Sequence, residues 1–148
     1  MNLTEVIQHH LYRSIAVLVA LVLIIAFAGY LARRRPKGLN EAYFRERWQE
    51  IQGLLANKNT WPLAVINADK LLDDALKKRK FKGKTMGERL VSAQRTLTSN
   101  DTVWFGHKLR NKLVHEDYNL TKKHEVKDAL LGYLQALKDL GALHNRDK

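Results

Sequence analysis

Arg110 is followed by Asn111 and, three residues further on, by His115, within the stretch WFGHKLRNKLVHEDYN from Trp104 to Asn119. An arginine, an amide and an imidazole this close together have the make-up of a ribonucleolytic pair. They are also what the polar end of an ordinary helix looks like. Projected at about 100° per residue, Phe105, Leu109 and Leu113 form one aliphatic face, which reads as core. Trp104, His107, Asn111 and His115 make a second stripe, and Arg110 falls with Val103 and Val114 between the two. Arg110 and His115 then stand about 140° apart on an ideal helix, too far round to meet on one phosphate. Two arrangements solve this. Either the helix ends near His115, as the turn-like residues Glu116 to Asn119 allow, or two copies of the chain face each other.

Each of these side chains also has a plain structural fate. Asn111 and His115 can cap or bridge neighbouring helices, because polar groups buried in a bundle must find hydrogen bonds. Arg110 can pair with Asp69, Asp73 or Asp74. His107 reads more readily as a satisfied interhelical histidine than as a ligand. His107, Asn111 and His115 align like a metal stripe, but no carboxylate joins them at matching spacing, so no metal and no cofactor is expected.

The elements that position these residues follow from the rest of the chain. With 148 residues there is room for one compact domain and an appendage. The net charge of +11 and isoelectric point near 10.0 point to acidic company, nucleic acid or an anionic lipid surface. Cysteine is absent, which excludes disulfides, thiol catalysis and thiolate-bound zinc.

Residues 14–32, SIAVLVALVLIIAFAGYLA, carry no charge. As a helix they span about 28 Å, close to the hydrocarbon core of a bilayer, with Tyr12 and Tyr30 near the two ends. AFA at 26–28 resembles a signal-peptidase site. Against cleavage stand a weak basic start, where Glu5 offsets Arg13, and dense positive charge just after the apolar run: Arg33, Arg34, Arg35 and Lys37. The reading is an uncleaved single-pass anchor in the cell membrane. The charge asymmetry places a short N-terminus, residues 1–13, outside and the C-terminal domain in the cytoplasm. Residues 33–38 form a basic juxtamembrane linker, with Pro36 and Gly38 breaking any continuous helix.

Residues 39–144 read as an all-α bundle of about five helices, with 145–148 a tail. Asn40 is a candidate N-cap for a helix whose apolar positions are Phe44, Trp48, Ile51 and Leu55. Thr60 precedes a second with Pro62 in its first turn and a stripe of Val65, Ala68, Leu72, Ala75 and Leu76. Thr85 and Glu88 make a capping-box pattern for a third helix, expected through Leu90 to Leu97. The fourth begins near Asn100 or Asp101. The fifth starts at Thr121, buries Val126, Leu130, Tyr133, Leu137 and Leu140, and ends at Gly141. The run KKRKFKGK places Lys77, Lys78, Arg79, Lys80, Lys82 and Lys84 at the end of the second of these helices. By default it is a solvated helix end favoured by the helix dipole; functionally it would contact RNA or lipid phosphate. Phe81 inside it is expected to cover the edge of the core; the functional alternatives are stacking on a base or dipping into a membrane interface.

RNKLVH resembles the Arg-Asn-x-x-x-His signature of the HEPN superfamily (higher eukaryotes and prokaryotes nucleotide-binding). ADKLLDDAL in an earlier helix resembles the acidic-aliphatic pattern common there, and the likeness covers about 100 residues. What the resemblance implies is metal-independent RNA cleavage in active members. His115 would be the general base on a ribose 2′-hydroxyl, Arg110 would stabilise the phosphorane, and Asn111 would orient them, with the site formed across a homodimer. Inactive relatives serve as binding or dimerisation modules. The expectation is therefore a membrane-held module that binds RNA or a protein partner, with endoribonuclease as the enzymatic alternative and a part in an envelope assembly as a third.

Overall fold

The computed structural model describes the backbone of residues 3–34 and 38–144, and the side chains of residues 10, 12–30 and 38–144. Every regular element among them is helical. The chain divides into two compact units, residues 1–36 and 37–148.

The first unit is one helix, α1 (Leu3–Arg34). It begins well before the apolar run, so the expected short N-terminal segment is largely helix. Its stretch from Tyr12 to Tyr30 has a mean hydropathy of 2.2, and none of it is buried. A helix that is apolar all round calls for apolar surroundings along its whole surface. It is long and apolar enough to cross a membrane. Within it the Ser14 hydroxyl donates to the His10 carbonyl at 3.0 Å, a polar group satisfied inside its own helix. The side chains of Arg33 and Arg34, and Arg35 and Lys37 altogether, lie outside the described residues, as do residues 145–148.

The second unit contains α2 (Glu41–Gly53), two 3-10 turns, α3 (Trp61–Lys78), α4 (Met86–Ala93), α5 (Asn100–His115) and α6 (Lys123–Asp139). Asn40 caps α2 by accepting from the Tyr43 N–H. Thr85 caps α4 by accepting from the Glu88 N–H, while the Glu88 carboxylate takes the N–H of Lys84 rather than that of Thr85. The expected apolar stripe of α3 is buried at all five positions, and so is that of the last helix, with Leu140 just past its end. Gly141 closes α6 with a left-handed φ of 68°. Phe81 is half-buried against the core.

Three expectations shift. The helix that begins at α2 stops at Gly53, and Leu55 falls in a 3-10 turn, 38% exposed. The third soluble helix ends at Ala93, and Leu97 reaches the core from the connection that follows. The core face of α5 is not Phe105–Leu109–Leu113. Phe105 is 39% exposed and Leu113 only half-buried, while Val103, Gly106, His107 and Leu109 are buried.

Backbone proximity explains that rotation. A Cβ on Gly106 would lie 2.9 Å from the ring of Tyr133, and one on Gly132 would lie 2.6 Å from the carbonyl of Thr102. The two glycines let α5 and α6 approach until Gly132 packs on the α5 backbone and the Tyr133 ring lies against Gly106, so Gly106 must face inward. That turns His107 in with it.

Candidate functional site

Asp69 stands four residues after Val65 and three before Leu72, inside the apolar arc of α3, and is 4% exposed. A carboxylate there needs partners. It finds them on two other helices. His107 Nδ1 of α5 lies 2.8 Å from Asp69 Oδ1, and the Tyr133 hydroxyl of α6 donates to the same oxygen at 3.0 Å. Burial first, then the charge of Asp69, pushes the Tyr133 phenol well above its ordinary value, so it remains a donor.

Arg110 and Asn111 follow His107 at the i+3 and i+4 positions, which brings all three to one side of α5. Arg110 Nε lies 3.7 Å from Asp69 Oδ2, and its guanidinium donates to Asn111 Oδ1 at 3.0 Å. The Asn111 amide nitrogen is 3.4 Å from His107 Nε2. These side chains line a cleft of about 540 Å³ between α3, α4 and α5, together with Lys70 and Gly87. Trp104 meets the His107 ring edge-on, with centroids 5.9 Å apart.

Of the three residues singled out in the sequence, Arg110 and Asn111 share this cleft and His115 does not. His115 is the last residue of α5, where Glu116 turns extended, and it is exposed at the helix end. Its side chain has no hydrogen bond or ion pair among the described residues. The helix therefore ends where the first arrangement requires, yet the imidazole stays outside the cleft.

Three residues of the basic run have partners within the fold. Lys77 pairs with Asp73 at 2.7 Å, Lys78 with Asp74 at 3.9 Å, and Arg79 donates to the Leu140 carbonyl at 2.7 Å, closing the end of α6. Lys80, Lys82 and Lys84 are exposed, and Lys80 adopts a left-handed φ of 62°.

Sequence reasoning weighed Asp69 only as one of three partners for Arg110, His107 as an interhelical histidine and Tyr133 as core. The signal that links them is the position of Asp69 on the buried arc of α3, legible from the same spacing that defines the stripe. No family model, curated protein or solved structure matches the chain.

Proposed function

We propose that the chain is a single-pass membrane-anchored, HEPN-like module whose C-terminal domain binds RNA at the cytoplasmic face of the cell membrane. The observation that carries this reading is the state of Arg110. Its guanidinium is oriented by Asp69 and Asn111, its side chain is 30% exposed, and it opens into a cleft beside the exposed Lys70. A planar fork of donors held this way suits a phosphodiester, and Lys80, Lys82 and Lys84 extend the positive surface. The anchor and the positive-inside asymmetry support the location.

The test uses the full-length chain in nanodiscs of neutral lipid, titrated with labelled single-stranded RNA across a salt series. Affinity falls linearly with salt on a log–log plot, and Arg110→Ala weakens it about tenfold, the loss of one charged phosphate contact. Binding indifferent to both salt and Arg110 would sink the reading and leave a protein partner as the occupant.

A second reading, metal-independent cleavage in a homodimer, draws on the exposure of His115 at the end of α5. That imidazole is free to enter the cleft of another copy. Mixing Arg110→Ala and His115→Ala chains restores one intact composite site per dimer on this reading, and RNA cut in the presence of chelator is its signature.

A further inference from the structure

The hydrogen-bond directions around Asp69 fix which nitrogen of His107 points its proton at the carboxylate, and no dimer is needed to complete what they build. A carboxylate only accepts. His107 Nδ1 therefore donates its proton to Asp69 Oδ1 at 2.8 Å, alongside the donated Tyr133 hydroxyl. A neutral ring protonated on Nδ1 carries its lone pair on Nε2. Arg110 donates to Asn111 Oδ1, so the nitrogen of that amide is the end turned toward Nε2, at a loose 3.4 Å. A hydroxyl entering the cleft can compete with so long a contact.

The wall opposite is open. A Cβ on Gly87 would lie 3.8 Å from His107 Nε2 and 3.7 Å from the Trp104 ring. Any larger side chain at position 87 would fill the space in front of the imidazole. Trp104 bounds the ring from the side, and Asp69 holds it from behind. An aspartate that fixes the tautomer of a histidine, with the other nitrogen held only by a long amide contact at a cleft, is the arrangement that makes a general base.

We infer that His107, held by Asp69, is the proton acceptor of an RNA-cleaving centre complete within one chain, with Arg110 as its phosphate-facing cation. The inference rests on the RNA-binding reading and names a different histidine from the RNxxxH signature. In the step, Nε2 takes the proton of a ribose 2′-hydroxyl as the 2′-oxygen forms a bond to phosphorus. The bond from phosphorus to the 5′-oxygen breaks with its electron pair on that oxygen. The leaving oxygen takes a proton from solvent and the imidazolium returns its own. A 2′,3′-cyclic phosphate and a 5′-hydroxyl result, with no net change in protons. Arg110 faces the charge that gathers on the non-bridging oxygens.

The test incubates the full-length chain in nanodiscs with single-stranded RNA and chelator, reading rates and end groups. His107→Asn places an amide N–H where Nδ1–H was, keeping the bond to Asp69 while removing the base. It should lower the rate at least about 100-fold, and by more than His115→Ala does, with the melting temperature held. Gly87→Leu, compatible with the helix, should block cleavage as well. Wild-type cleavage that survives either His107→Asn or Gly87→Leu overturns the inference; loss confined to His115→Ala does so in favour of the dimeric site. A wild-type chain that binds RNA but leaves it intact overturns the inference and spares the binding reading. A chain that neither binds nor cuts ends both.

Discussion

Two arginines approach α3 one turn apart, and they are employed in opposite ways. Arg89 of α4 reaches Asp73 with Nε and a terminal nitrogen, both at 2.7 Å, and donates its remaining nitrogen to the Gly83 carbonyl at 2.8 Å. Its side chain is 8% exposed. Arg110 of α5 lies 3.7 Å from Asp69 and spends one donor on Asn111. The first guanidinium is fully committed to the fold. The second is aimed by its neighbours yet keeps donors turned to a cavity. Closure of the α4 end and openness of the cleft beside it are thus set by how many donors each arginine has left over.

The largest effect expected from breaking this contrast is on stability. Arg89→Ala leaves Asp73 without its main partner and exposes the Gly83 carbonyl to an unmade bond, costing about 3 kcal/mol, read as a shift in denaturant midpoint. Arg110→Ala, at a longer and more exposed pair, costs about 1 kcal/mol or less, its main effect on the proposed function being weaker RNA binding. Equal destabilisation by the two substitutions would erase the distinction.

Acid sharpens it further. Burial alone would raise the Asp73 carboxyl, but hydrogen bonds and charge from Arg89 and Lys77 outweigh it and hold Asp73 below its ordinary value. A carboxyl held low in the folded state contributes stability above its unfolded pKa, about 3.9, and that contribution is lost as pH falls through the lower folded value. In urea melts run from pH 6 downward, that acid-labile part should be present in the wild type and reduced in Arg89→Ala. The smallest effect belongs to Lys77→Ala. The ion pair with Asp73 is short, 2.7 Å, but the lysine is 57% exposed on a helix surface. Its loss costs a few tenths of a kcal/mol, about 0.4, and a larger cost would mean that Asp73 depends on Lys77 as much as on Arg89.

The helices were legible because their apolar positions recur at the helical period. Val65, Ala68, Leu72, Ala75 and Leu76, and Val126, Leu130, Tyr133, Leu137 and Leu140, are buried as their spacing requires. Caps at Asn40 and Thr85 and the stop at Gly141 were legible for the same local reason. The orientation of α5 was not. A helical wheel weighs side chains by size and polarity, so Phe105 outbid Gly106, whereas the packing is decided by how closely Gly106 lets Tyr133 approach. The candidate site suffered from the same blindness. RNxxxH drew attention to His115, at the exposed end, while His107 looked like an ordinary bundle histidine. Only the three-helix meeting at Asp69, joining positions 38 and 64 residues apart in the chain, distinguishes the two.

That meeting point also makes the domain a reporter of its own cleft. One carboxylate oxygen on α3 accepts from α5 and from α6, and Tyr133 sits under Gly106 with no slack to absorb a shift. Whatever loads Arg110 or His107 changes the pull on Asp69 and is felt at Tyr133, on a helix that contributes nothing to the cleft lining. Hydrogen exchange along Ala129 to Leu137 therefore registers an occupant that never touches it, and does so before its chemical identity is known.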